Sequence, residues 1–126
     1  MNDAANTAWS RKAYNWIGGV QLSEGALRES IDPATYNIIG HYPDNGLQAA
    51  SSAVAAAVRA FRATPWAHDH ELRARVLEQL ARAFERNRDR LLDILSLENG
   101  KIKGEAGFEL DMIPSKLRYA AAAALL

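Results

Sequence analysis

Residues 69–101 read DHELRARVLEQLARAFERNRDRLLDILSLENGK, and this stretch decides the fold. Leu72, Val76, Leu80 and Phe84 recur every fourth residue, joined by Leu77 and Ala81. That is the period of one face of a helix. Leu91, Leu92 and Leu95 continue the pattern with an offset near Asn87, which predicts a bend or two abutting helices. The other face interleaves Arg73, Arg82, Arg86 and Arg90 with Glu78, Glu85, Asp89 and Asp93. Glu78 and Arg82, four apart, attract, whereas Glu85 and Asp89 repel, each by about 0.2–0.5 kcal/mol. Asn99-Gly100 supplies the left-handed stop common at helix ends, and Lys101 complements the negative end of the helix dipole. The reading is a helical segment over 69–99.

Downstream, Ala106, Leu110, Ile113, Leu117 and Ala120 give a further helix over 104–124. Pro114 lies inside it, where a proline costs about 3 kcal/mol or more and kinks the chain unless packing compensates. The run Ala120–Leu126 carries no cap, glycine or polar stop, which gives the expectation that the chain is truncated. Upstream, Leu47, Ala50, Val54, Ala57, Val58 and Phe61 place a helix over 46–62, with Asp44 or Asn45 as the cap and Thr64-Pro65 as the terminator. Residues 14–42 read as a short β-hairpin region of two or three strands. Turns are expected at Gly18-Gly19, Ser23-Glu24-Gly25 and Asp32-Pro33. Residues 1–13 are small and polar and read as a flexible tail.

Composition narrows the function classes. With 48% hydrophobic and 24% charged residues the chain is an ordinary globular one. Fifteen basic residues balance fifteen acidic ones, so no field favours nucleic acid or an anionic membrane. No stretch reaches the roughly 20 apolar residues that span a bilayer, and the polar start lacks the core of a signal peptide. The absence of cysteine excludes disulfides, thiolate metal sites and thiol catalysis within these residues. A cytoplasmic location follows as an expectation. His68 and His70 flank Asp69 at a spacing that points the rings to different helix faces, so they read as solvated, not metal-binding. Gly18-Gly19 and Gly104/Gly107 lack the strand, glycine loop and helix order of a phosphate site.

Five motifs carry a resemblance. They are Tyr14-Asn15-Trp16-Ile17-Gly18-Gly19, Ile31-Asp32-Pro33-Ala34-Thr35, Thr64-Pro65-Trp66, Leu97-Glu98-Asn99-Gly100-Lys101 and Leu117-Arg118-Tyr119. In order and spacing, residues 14–119 resemble the amino-terminal stretch of the aldehyde dehydrogenase superfamily. Where the family has glycine after the Pro turn, Tyr36 stands, and Asn37 is expected to take the left-handed position. Where members often carry Tyr-Tyr-Ala-Gly-Trp, this chain has Tyr119 followed by alanines, which would leave a roomy or shallow substrate mouth in a parent enzyme.

The resemblance implies an α/β family, NAD(P)-dependent, of which this part is mostly α-helical with a short N-terminal β-hairpin. It implies a parent that oxidises an aldehyde to a carboxylic acid, using a cysteine nucleophile, a general-base glutamate and a dinucleotide cleft that all lie beyond these residues. No catalytic and no cofactor-binding residue is therefore assigned. NAD or NADP belongs to the parent, and none is expected on this chain alone. The resemblance also implies a monovalent-cation site, carried over to the carbonyls of Ser30 and Ile31 and to the Glu109 carboxylate, since hard cations prefer oxygen ligands. Expected partners are the remainder of a dehydrogenase subunit or homologous subunits, with self-association and neither nucleic acid nor membrane. Two other readings stand beside it: a self-standing helical interaction module, and a docking partner of intact subunits.

Overall fold

The computed structural model describes residues 11–126; the amino-terminal part of the expected tail, residues 1–10, lies outside the described residues. Five short strands precede four helices: β1 (Arg11–Lys12), β2 (Asn15–Ile17), β3 (Val20–Leu22), β4 (Ala26–Ile31), β5 (Ile38–Asp44), α1 (Gly46–Ala63), α2 (His70–Arg86), α3 (Arg88–Asn99) and α4 (Lys103–Ala123). A 3₁₀ turn at Pro65–Ala67 leads into α2. The chain divides into two compact units, one through Arg59 and one from Ala60 to Leu126.

In the first unit the strands form two sheets instead of one hairpin over 14–42. β2 and β3 pair antiparallel, Trp16 opposite Gln21, around the Gly18-Gly19 turn. β4 and β5 pair antiparallel, and β1 joins β5 in parallel, with Arg11 opposite Gly40. Arg11 and Lys12 are thus strand, not tail, and β5 runs two residues past the expected limit. Alternation did not announce β1 because two residues are too few to show a period. The β4–β5 connection is closed by Asp32. Its carboxylate accepts from Ala34 N at 2.8 Å and from Thr35 Oγ1 at 2.7 Å, and its amide donates to Asn37 O at 2.9 Å. These bonds, Thr35 first, hold its pKa below the usual aspartate value. The left-handed residue of this turn is Tyr36 itself, φ 60°, and not Asn37. Here an exposed tyrosine accepts a conformation that side chains ordinarily avoid because the turn bonds on either side fix it.

Gly25, φ +116°, passes so close to the end of β5 that a Cβ there would lie 2.6 Å from Asp44 O. Asn45 stitches the same corner: its Nδ2 donates to Glu24 O, and its Oδ1 accepts from Asn15 Nδ2. At the start of α1, Gly46 N donates to Asp44 Oδ1 at 3.3 Å.

In the second unit, Asp69 Oδ1 accepts from Leu72 N at 2.7 Å and caps α2. Arg73 donates back to the carbonyls of Trp66 and Ala67, fixing the 3₁₀ turn on the helix. α2 ends at Arg86, Asn87 N donates to Ala83 O, and α3 starts at Arg88, so the offset in the leucine pattern marks two abutting helices. Gly100 closes α3 at φ 65°, ψ 19°, the left-handed cap. α4 runs through the buried Pro114. The core of this unit is built mostly from small residues, Ala81 and Ala106 at 0% exposure with Gly107, Pro114 and Ala121, around the one larger side chain of Leu110. Small side chains let α2 and α4 approach closely, and α3 packs on α4 as well. Of the large residues expected on this face of α2, Leu72, Leu77 and Phe84 are half-buried, and Val76 and Leu80 are exposed.

Candidate functional site

Ser30 and Ile31 end β4, and the β4–β5 register shifts between them. Such an irregularity leaves ladder groups unpaired, and an unpaired carbonyl is what a hard cation takes. Glu109 lies on α4, in the other unit. Neither unit by itself holds all three residues. The Glu109 carboxylate has a partner of its own: Oε1 lies 2.6 Å from Lys101 Nζ. Lys101 does not merely face the dipole of α3 as its position suggests. Its backbone is held by Ser96 Oγ, which donates to Lys101 O at 2.6 Å, and its ammonium crosses to α4.

The densest charged cluster of the second unit is one the sequence pattern showed only in part. The Glu78–Arg82 pair forms, Oε1 to Nε at 3.0 Å. Arg118, from α4, then completes it: Nε reaches Glu78 Oε2 at 3.2 Å, while Nη1 and Nη2 take both oxygens of Glu85 at 2.7 and 3.0 Å. Glu78 is held below the usual carboxylate range by Arg82 first and by Arg118; Glu85 is lowered chiefly by Arg118. The guanidinium of Arg118 is raised in turn by Glu85 and Glu78. A second fork, Arg88 Nε and Nη2 on Asp111 at 2.6 and 2.9 Å, ties α3 to α4. Lys103 and Asp93 meet at 2.7 Å beside it. These charges are mutually neutralised and exposed, which is the pattern of a clasp and not of a catalytic cluster.

Other candidates are accounted for. His68 and His70 are exposed, on either side of the cap Asp69. Among the described residues no three His, Cys, Asp or Glu side chains gather as metal ligands. Gly18 and Gly19 make a hairpin turn and Gly104 and Gly107 sit inside α4, so none of them forms the strand–loop–helix cradle a dinucleotide's phosphates require. An open apolar cleft of about 340 Å³ lies along the α2–α3 junction, lined by Leu80, Ala83, Phe84, Arg90, Leu91 and Ile94. No helix among the described residues is long and apolar enough to cross a membrane.

The order of these elements, a small sheet region, a helix, the capped pair α2–α3 and the proline-bearing α4, matches a known family. The aldehyde dehydrogenase family model matches residues 20–125. The chain belongs to the aldehyde dehydrogenase family. Over 97 residues it is 35% identical to an NADP(+) succinate-semialdehyde dehydrogenase of Schizosaccharomyces pombe, covering 77% of this chain and 20% of that protein. Over 124 residues it is 33% identical to a malonate-semialdehyde dehydrogenase of Halalkalibacterium halodurans, covering 94% of this chain and 25% of that one. Its structure is similar to an NAD-dependent aldehyde dehydrogenase from Sinorhizobium meliloti, with TM-score 0.86 and 26% identity over 93% of this chain and 24% of that chain. The chain thus spans between a fifth and a quarter of the length of these aldehyde dehydrogenases. Its fold is that of the family's α/β architecture, and this part of it is mainly helical.

Proposed function

We propose that these residues form the opening scaffold of an NAD(P)-dependent aldehyde dehydrogenase subunit, which oxidises an aldehyde to a carboxylic acid, and that they carry no catalysis themselves. The carrying observation is the family match over residues 20–125 in a stretch without cysteine. A thiolate attacks a carbonyl far better than the hydroxyls present, and among the described residues no serine hydroxyl is hydrogen-bonded to a histidine or a carboxylate that could activate it. Two of the three named relatives carry a cofactor in their names, NADP(+) for the Schizosaccharomyces pombe enzyme and NAD for the Sinorhizobium meliloti one, which supports a nicotinamide cofactor for the parent and leaves both forms open. No step is assigned to that cofactor here, since the glycines do not fit its phosphates.

The partner in this reading is the rest of such a subunit, or a homologous one. Helix α1 has no buried residue although it is largely apolar, which suits a face made to be covered. A cytoplasmic setting belongs to the same proposal. Ser30, Ile31 and Glu109 are proposed, by resemblance, as ligands of a monovalent cation. The reading is tested by assaying the purified chain with NAD and NADP across short aliphatic and semialdehyde substrates. The expected result is no aldehyde-dependent reduction. Saturable turnover that follows the chain through purification would overturn it.

A further inference from the structure

An alkali ion offered to Glu109 finds one oxygen of the carboxylate already engaged by a cation. Lys101 Nζ stands 2.6 Å from Glu109 Oε1, with the two side chains 35% and 46% exposed. The approach is prepared by the backbone. Gly100 turns the chain left-handed at the end of α3, Ser96 Oγ fixes the Lys101 carbonyl, and α4 starts two residues later at Lys103. Lys101 is therefore tethered on both sides within reach of the second turn of α4. To a carboxylate, an ammonium and a potassium ion are alike: each is a single, weakly polarising positive charge. The tether gives the lysine a standing advantage of effective concentration over any free ion.

We propose that Lys101 is the resident cation of Glu109, and that an alkali ion binding this carboxylate competes with the lysine for its charge. The proposal rests on the reading of Glu109 as a cation ligand. It goes further by making the α3–α4 connection the competitor for the site, so that ion binding would release the lysine side chain at the α3 terminus.

Amine acylation of the full chain, read peptide by peptide by mass spectrometry, tests this in KCl against choline chloride at equal ionic strength. Lys101 should label about twofold faster in KCl, as a tethered group does when a free competitor matches its effective concentration. Lys103, paired with Asp93, should be unchanged. In Glu109→Gln, Lys101 should label at the fast rate in both salts. Equal labelling of Lys101 in both salts for the unaltered chain, or slow labelling in Glu109→Gln, overturns the proposal. Thermal unfolding of Lys101→Met separates that failure from failure of the cation site. A potassium-specific rise in Tm there, with no change in lysine labelling, keeps Glu109 as a ligand and removes Lys101 as competitor. No potassium-specific response in either measurement removes both.

Discussion

Helices α1 and α4 are both rich in alanine, and they meet opposite fates. α4 buries Ala106, Gly107, Leu110, Pro114 and Ala121, and it is clasped to α2 by Arg118 and to α3 by Asp111. α1 has no fully buried residue: Ala49, Ala53 and Ala56 are half-buried, while Val54 is 64% and Phe61 58% exposed. Apolar content therefore does not say whether a helix has found its partner. α4 carries, beside its small residues, charged groups placed to match others on α2 and α3. α1 instead leaves the large residues of its stripe, Leu47, Val54, Val58 and Phe61, exposed. One helix is core by its neighbours, the other by expectation.

The comparison breaks most directly on the buried face of α4. Ala106→Leu forces three extra carbons into a site of 0% exposure and should destabilise the chain by about 1–3 kcal/mol, the usual cost of overpacking. Urea unfolding followed by circular dichroism measures it. A variant as stable as the parent would mean that the site of Ala106 is not closely packed.

A smaller effect is expected from the clasp. Glu78 and Glu85 have folded pKa values lowered by Arg82 and Arg118. A lowered folded value adds stability that is present above the unfolded pKa and is lost as pH falls through the folded one. The Tm should thus hold from neutrality to about pH 4.3, the ordinary glutamate value, and decline below it. Arg118→Met should lower the neutral-pH Tm by less than Ala106→Leu does, because the pair is exposed, and should flatten the acid decline. An acid decline as steep in the variant would assign the effect to other carboxylates.

The least effect on stability should come from α1. Val54→Lys with Phe61→Lys, seven residues apart on one face, should change unfolding free energy by no more than about 0.5 kcal/mol, as for exposed positions generally. The same pair should convert self-associated chain to monomer in sedimentation velocity, since exposed apolar patches drive association. A parent chain already monodisperse, with a cooperative melt, would show that α1 needs no cover and would favour an independent interaction module.

What the sequence disclosed was chiefly what neighbours in sequence decide. The stop at Asn99-Gly100, the break at Asn87 and the Glu78–Arg82 pair all lie within one or two helical turns, where backbone geometry fixes who meets whom. Arg118 stood in a motif, yet its bond to Glu85 spans 33 positions and depends on how α4 lies on α2. The parallel pairing of β1 with β5 is hidden for the same reason. Of the apolar stripe read along α2, Ala81 is buried and Leu72, Leu77 and Phe84 are half-buried, whereas Val76 and Leu80 at its edge stay exposed, and how far a stripe is covered depends on where the neighbouring helices lie. For the candidate cation ligands, family pattern supplied Ser30, Ile31 and Glu109, but only coordinates could bring Lys101 to Glu109, eight residues away across a helix end.

The close pass at Gly25 bears on how this chain can drift over time. A Cβ at that position would meet the Asp44 carbonyl oxygen at 2.6 Å and Asn45 Cα at 3.2 Å, and these are backbone atoms. They also join β5 to the first turn of α1, so yielding would move a strand and a helix together. Gly104, within α4, faces open space and has no positive φ. The first glycine is closed to every replacement by one oxygen atom. The second can be exchanged for alanine without touching anything.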